Sequence, residues 1–220
     1  MLFFLHLLMS FAPPTAEELQ RWEPDINKIE ARLKAEPPAK NSVLFAGSSM
    51  IRLWDTARAF PNLSTVNVGF GGSQTRWNTA FADRIIIPVK PKVIVFYCGD
   101  NDLNSRLTPK EVIEDFEAFI KLVRTKLPET KLLILSVKPS PKRWSLFDKQ
   151  TEVNKQLKEI CAKDAMLGFI DTVPGTLGMD GKPIPEHFHK DELHFSEAGY
   201  VNWQKLVAAE LAKHSEILKK

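Results

Sequence analysis

An apolar run that ends in a glycine and two serines constrains this chain more than any other stretch. Residues 43–54 read VLFAGSSMIRLW, in which four apolar residues precede Gly47-Ser48-Ser49 and apolar residues then recur at helical spacing. A continuous apolar run is typical of a strand buried on both faces of a parallel sheet, and the change of period predicts a sharp turn into a helix. Ser49 is therefore expected at the carboxyl edge of the sheet, where open α/β proteins bind ligands.

A serine at such a turn has two interpretations. It can cap the first turn of the helix, which is a common use of serine. It can also be a nucleophile, because the free N–H groups at the start of the following helix favour a developing negative charge. Residues 43–54 alone do not decide between the cap and the nucleophile, so the decision depends on what the rest of the chain supplies.

The pattern of an apolar strand followed by a helix recurs along the chain. Strands are predicted at residues 43–46, 64–68, 92–98, 132–137 and 168–171, and helices from residue 15 through 33 and at about 75–87, 108–127, 146–163 and 196–211. Alternation of this kind predicts a parallel sheet with right-handed crossovers and helices on both faces. We expect a three-layer α/β/α, flavodoxin-like, doubly wound domain with five parallel strands over residues 15–220.

Composition narrows the class of protein. The 220 residues carry a net charge of only +3, with Lys and Arg spread among acids, which argues against a nucleic-acid interface. No segment is long and apolar enough to be an integral membrane span. Cys98 and Cys161 show no metal-ligand spacing and are expected to be free thiols.

The first residues pose a question of localisation. Residues 2–9 are apolar except for His6 and residues 10–12 form a small-x-small pattern, but no Lys or Arg precedes them. Residues 1–14 are therefore interpreted either as a short export leader, which would send the protein to the periplasm or outside the cell, or as an N-terminal extension of a cytoplasmic protein.

Three later segments supply what a nucleophilic serine requires. Acyl transfer needs a base, a carboxylate that orients the base, and donors for the oxyanion. His194 is the candidate base and Asp191, three residues earlier, the candidate carboxylate. The candidate oxyanion donors are the backbone N–H groups of Ser49 and Gly72 and the side-chain amide of Asn101, which all follow predicted strands.

In order and spacing these segments resemble the four sequence blocks of SGNH (GDSL-type) esterases and acylhydrolases, a family that includes catalytic subunits of platelet-activating-factor acetylhydrolase. The segments are Gly47-Ser48-Ser49, the turn at residues 67–72, Gly99-Asp100-Asn101-Asp102 and residues 191–194. The resemblance extends over residues 42–211 and implies the SGNH hydrolase fold. It assigns the nucleophile to Ser49, and it favours Gly72 over the adjacent Gly71 as the second donor. Ser48 departs from the family, which often has Asp there.

The resemblance implies a serine esterase that hydrolyses short-chain, acetyl-like carboxylic esters through an acyl-enzyme intermediate, without a cofactor. The expected substrate is a small ester of a sugar, a lipid or an aryl alcohol. Phe70 and Phe188 are candidates for lining its pocket. The oligomeric state is left open, with a homo-oligomer among the alternatives.

Two other functions compete with the esterase. His187, His189, Asp191 and His194 are dense enough in ligand types to suggest a metal site, although the esterase uses two of them. The second alternative is a non-catalytic module of the same fold that binds acylated carbohydrate. Such a module would not need both Ser49 and His194.

Overall fold

A five-stranded parallel sheet forms the centre of the protein. The computed structural model describes residues 14–218. The strands are β1 (Val43–Gly47), β2 (Thr65–Asn67), β3 (Val93–Tyr97), β4 (Lys131–Leu135) and β5 (Leu167–Ile170). Their order across the sheet is β2-β1-β3-β4-β5, and every neighbouring pair is parallel. This is the flavodoxin-like order, in which the chain changes its winding direction between β1 and β3.

Helices cover both faces of this sheet. They are α1 (Ala16–Gln20), α2 (Glu23–Ala35), α3 (Ser49–Arg52), α4 (Thr56–Ala59), α5 (Thr75–Ile85), α6 (Asp100–Asn104), α7 (Pro109–Lys126), α8 (Phe147–Cys161), α9 (Glu197–Ala212) and α10 (Ser215–Leu218), with 3-10 turns at Ile87–Val89, Pro141–Leu146 and Pro185–His187. None of these helices of residues 14–218 is long and apolar enough to cross a membrane.

Alternation along the buried strands divides the core into two layers. In β1, Leu44 and Ala46 contribute to a layer completed by α2, α5, α7 and α8. Val43 and Phe45 contribute to the opposite layer, which is completed by α3, α9 and α10. Because successive side chains of a strand point to opposite faces, an all-apolar strand requires cover on both sides. The predicted three-layer α/β/α architecture is confirmed.

The N-terminal segment differs from the sequence prediction. Thr15 and Glu18 form a capping box at the start of α1, but the predicted single helix is divided into α1 and α2 at Arg21 and Trp22. Pro24 explains the break, because proline has no N–H to continue the hydrogen bonding of α1 and is tolerated in the first turn of a new helix. Residues 1–13, which make up all but the last residue of the proposed leader or extension, lie outside the described residues.

Candidate active site

Gly47 makes the turn that brings Ser49 to the edge of the sheet. Its φ is +134°, and a Cβ atom built there would lie 1.9 Å from the carbonyl oxygen of Tyr97 on the adjacent strand β3. The N–H of Ser48 donates to that same oxygen at 3.0 Å. Only glycine fits this position without displacing backbone, since it has no side chain and accepts positive φ. The chain then enters α3 with Ser49 as its first residue, half-buried.

Ser49, His194 and Asp191 form a hydrogen-bonded chain. Ser49 Oγ lies 2.9 Å from His194 Nε2, and His194 Nδ1 lies 2.6 Å from Asp191 Oδ2. An ionised carboxylate can only accept, so Nδ1 carries the proton in the neutral imidazole and the lone pair of Nε2 faces the serine hydroxyl. This is the arrangement that allows a histidine to take a proton from a serine.

Asp191 is held in its ionised form. Its Oδ1 accepts hydrogen bonds from the backbone N–H groups of Leu193 and His194, each at 3.0 Å. Partial burial alone would raise the pKa of Asp191, but the hydrogen bond to the His194 side chain and the two backbone hydrogen bonds hold that pKa well below its usual range. Asp191 therefore stays ionised, and so remains a hydrogen-bond acceptor, at neutral pH.

The candidate oxyanion donors follow three neighbouring strands. Ser49, Gly72 and Asn101 come after β1, β2 and β3, so all three reach the carboxyl edge of the sheet. The carbonyl oxygen of Gly71 accepts a hydrogen bond from Trp22 Nε1 at 2.8 Å. Because C=O and N–H point in opposite directions across a trans peptide, the N–H of Gly72 points away from Trp22. The contact with Trp22 therefore does not use the N–H of Gly72.

Asn101 is fixed at both ends of its carboxamide. Its Nδ2 donates to the carbonyl oxygen of Ser73 at 2.9 Å, and its Oδ1 accepts from Arg143 Nη2 at 3.0 Å. Asn101 lies in the first turn of the short helix α6, which Gly99 caps with φ +105°. Asn101 is thus part of a helical turn, which orients its side chain more firmly than an open loop would.

A buried lysine lies beneath the Asp191–His194 turn and was not identified from the sequence. Lys138 follows β4 and is 1% exposed. Its Nζ donates to the carbonyl oxygen of Leu193 at 2.8 Å and lies 5.1 and 4.8 Å from the ring centres of Phe188 and Phe195. This hydrogen bond holds Leu193, the residue before His194, against the segment that follows β4. A basic residue directly after an apolar strand was the only sequence signal for it.

Burial is the main cause that lowers the pKa of Lys138 to about 8. The nearby positive charge of Arg143 lowers the pKa further, while the carboxylates of Asp100 and Asp191 raise it in part. Between that pH and the ordinary lysine pKa of about 10.4, the unfolded chain binds more protons at this position than the folded chain. The free energy of unfolding should therefore rise with pH from about 8 upward.

We expect the Lys138→Met variant to lose this rise, because methionine has no proton to bind. The measurement is urea unfolding of wild type and variant at several pH values between 7 and 9.5. Lys149→Met is the matched control, since Lys149 is exposed on α8 and should leave the wild-type pH dependence unchanged. Equal slopes for wild type and Lys138→Met would contradict the effect of burial.

The two candidate pocket aromatics have different positions. Phe70 has no exposed surface and packs edge-on against Trp22 and Phe81, with ring centres 6.3 and 5.9 Å away. The expectation that Phe70 contacts a substrate is wrong, because its ring belongs to the hydrophobic core. Phe188 is also buried, but it borders a small cleft of about 300 Å³ that Trp144 also lines.

The structure also bears on the thiols and on the suggested metal ligands. Cys98 and Cys161 are both free and buried. Within the described part of the chain, no group of three or more His, Cys, Asp or Glu side chains is arranged to hold a metal ion. His187, His189, Asp191 and His194 are therefore not brought together as ligands.

Comparison with protein families gives a direct match. Residues 52–201 match the GDSL-like Lipase/Acylhydrolase family, which is more than half of the chain. The match begins after Ser49, so the placement of Ser49 beside His194 rests on the geometry above. Among curated proteins, platelet-activating factor acetylhydrolase IB subunit alpha2 of Homo sapiens is 33% identical over 199 residues, which cover 86% of this chain and 83% of that protein.

Solved structures share the fold. A GDSL-like lipase from Bacteroides thetaiotaomicron aligns with a TM-score of 0.67 and 18% identity, covering 89% of this chain and 98% of the other. A variant of an acetyl-xylooligosaccharide esterase from Geobacillus Stearmophilus aligns with a TM-score of 0.64 and 17% identity, covering 79% and 94%. The sequence match, the relatives and the shared fold lead to one conclusion: the chain belongs to the GDSL-like lipase/acylhydrolase family and is a hydrolase that acts on esters.

Proposed function

We propose that this protein is a serine esterase that hydrolyses short-chain, acetyl-like carboxylic esters through an acyl-enzyme intermediate on Ser49. The observation that carries the proposal is the hydrogen-bonded chain from Ser49 Oγ through His194 to Asp191, at 2.9 and 2.6 Å. A serine hydroxyl is a weak nucleophile unless a base accepts its proton. Here the base is in contact with the hydroxyl and is oriented by a carboxylate on its other side.

In the first half of the reaction, Ser49 Oγ attacks the ester carbonyl carbon while His194 Nε2 takes the hydroxyl proton. The negative charge that develops on the carbonyl oxygen is stabilised by the N–H groups of Ser49 and Gly72 and by Asn101 Nδ2. Each such donor typically contributes about two to three orders of magnitude in rate. His194 then gives its proton to the leaving alkoxide, and the acyl group stays on Ser49 Oγ.

In the second half, water replaces the alcohol. His194 Nε2 takes a proton from that water, whose oxygen attacks the acyl carbon, and the same donors stabilise the second oxyanion. The tetrahedral intermediate then collapses as the bond between Ser49 Oγ and the acyl carbon breaks. His194 gives the proton that it took from water to Ser49 Oγ, and the carboxylic acid leaves. Asp191 stays ionised throughout and stabilises the imidazolium that forms in each half.

The acyl group is proposed to be short for two reasons. The human relative is named an acetylhydrolase subunit and the Geobacillus structure an acetyl-xylooligosaccharide esterase, so both names indicate an acetyl group. The site is also open to solvent, since the Asp191 and His194 side chains are 48% and 24% exposed. An open site gives a long acyl chain little apolar surface to bury.

A larger cleft beside the site is available for the alcohol part of the ester. A cleft of about 900 Å³ borders Asp191 and His194 and is also lined by Leu53, Tyr200 and Val201. This size accommodates a sugar, lipid or aryl alcohol. A non-catalytic binding module of the same fold is not favoured, because binding alone does not require the Ser49–His194–Asp191 chain.

The test is the hydrolysis of p-nitrophenyl acetate, butyrate and octanoate by wild type, with a chelator arm. We expect kcat/KM to be highest for acetate and at least about tenfold lower for octanoate, with no effect of the chelator. Faster cleavage of octanoate would contradict the proposed acyl length. A folded protein that is inert on every ester would favour the binding module, and loss of activity with chelator would favour a metal site.

A further inference from the structure

We propose that Arg143 is a positioning residue that holds the carboxamide of Asn101 in the one orientation that presents an N–H to the substrate oxyanion. The inference rests on the proposed function, because it assigns Arg143 a part in the oxyanion hole. Arg143 itself would not touch the substrate.

The guanidinium of Arg143 bridges two successive residues of α6. Its Nη1 donates to Asp100 Oδ2 at 2.7 Å and its Nη2 donates to Asn101 Oδ1 at 3.0 Å. The side chains of Arg143 and Asp100 are only 10% and 6% exposed. A planar fork with two N–H groups in fixed geometry suits two acceptors side by side, and ion pairing to the buried carboxylate of Asp100 keeps the fork in place.

These contacts leave the carboxamide of Asn101 a single orientation. A guanidinium only donates, so it must face Oδ1, and the carbonyl oxygen of Ser73 only accepts, so it must face Nδ2. A flipped carboxamide would place Oδ1 against the Ser73 oxygen and the amide protons against Arg143. One proton of Nδ2 is used by Ser73, and the second proton is the one available to an oxyanion.

The contact also strengthens Asn101 as a donor. A cation on Oδ1 draws electron density from the amide, so the Nδ2 protons become more positive.

Arg143 lies in the 3-10 turn Pro141–Leu146, in which the N–H of Lys142 donates to the carbonyl oxygen of Glu192 at 3.1 Å. The same short segment therefore contacts the oxyanion side of the site through Asn101 and the acid-base side through the Asp191–His194 turn.

The Arg143→Lys variant tests the proposal. Lysine keeps a positive charge beside Asp100, but its N–H groups are all on one nitrogen and cannot reproduce the planar fork. We expect kcat for p-nitrophenyl acetate to fall about 10- to 100-fold, with KM changed less than about threefold, because the donor acts on the transition state and not on substrate binding. Asn101→Ala alone should lower kcat by about 100- to 1000-fold.

The double variant Asn101→Ala/Arg143→Lys distinguishes positioning from support of the fold. If Arg143 acts through Asn101, the double variant is no slower than Asn101→Ala alone. Arg124→Lys is the matched control, because Arg124 makes a similar fork to Asp164 and the carbonyl oxygen of Pro128 on a different part of the surface. It should leave kcat unchanged. Urea unfolding of each variant verifies that it is folded.

If Arg143→Lys does not fold, Asp100→Asn/Arg143→Met removes both charges of the pair together and should show the same loss of kcat with KM retained. Wild-type kcat in either variant would overturn the proposal. An equal loss with and without Asn101 would also overturn it, because Arg143 would then act on the fold. Wild-type activity of both Ser49→Ala and Asn101→Ala would instead refute the proposed function and the oxyanion role with it.

Discussion

The Ser49→Ala variant is expected to lower kcat for p-nitrophenyl acetate by about four to six orders of magnitude without unfolding the protein. Alanine removes the oxygen that lies 2.9 Å from His194 Nε2, which is the atom proposed to take the acyl group. The half-buried hydroxyl makes a small contribution to packing, so urea unfolding should be nearly unchanged.

Ser48→Ala is the matched control for this variant. Ser48 is the adjacent serine, but its side chain is fully buried and its Oγ has no hydrogen-bond partner among the described residues. Removing a buried hydroxyl that makes no hydrogen bond is close to neutral for stability, and kcat should stay within about tenfold of wild type. A large loss of kcat in Ser48→Ala, with high activity in Ser49→Ala, would show that Ser48 and not Ser49 is the nucleophile.

The Gly47→Ala variant should be strongly destabilised, by about 3–5 kcal/mol, and should lose activity with the turn. The added Cβ would lie 1.9 Å from the carbonyl oxygen of Tyr97, and φ is +134°. That oxygen also accepts the N–H of Ser48, so relief of the clash must separate β1 from β3 or displace the serine turn.

Gly181→Ala provides the comparison for Gly47→Ala. Gly181 also has positive φ, at +73°, but nothing lies within 4 Å of its added Cβ. Its cost should be that of the backbone conformation alone, about 1–2 kcal/mol. Urea unfolding of both variants measures the difference. Equal destabilisation would show that the contact with Tyr97 does not constrain the turn.

The sequence predicts the fold well where the physical signal is local. The apolar runs at residues 43–46 and 92–98 correspond to β1 and β3, because a strand buried on both faces must be apolar throughout. The prediction of one N-terminal helix is wrong because Pro24 begins a new helix, although the apolar spacing continues across it.

The candidate site divides in the same way. The contact between Asp191 and His194 forms within one turn, so it can be predicted from residues 191–194 alone. The order of the four segments predicts which strand ends lie together. Arg143 and Lys138 were missed because their partners, Asn101 and Leu193, are 42 and 55 residues away in the chain. A basic residue near a proline-rich turn has the same sequence appearance whether it is exposed or buried.

Phe70 shows the opposite error. It lies among glycines at the end of β2, and this position suggested a binding surface, but its ring packs in the core. Sequence position places the backbone at an edge of the sheet without determining the direction of the side chain.

The most direct test of the central claim is to identify the residue that becomes covalently modified. Diethyl p-nitrophenyl phosphate should transfer its diethyl phosphoryl group to Ser49 Oγ with release of p-nitrophenolate, while His194 takes the hydroxyl proton. Trypsin should release residues 41–52 as one peptide, which contains Ser42, Ser48 and Ser49. We expect fragmentation of this peptide to place one diethyl phosphoryl group on Ser49 in wild type and in Ser48→Ala, and none in Ser49→Ala. Modification at another residue, or none in wild-type protein that hydrolyses p-nitrophenyl acetate, would contradict the proposed mechanism.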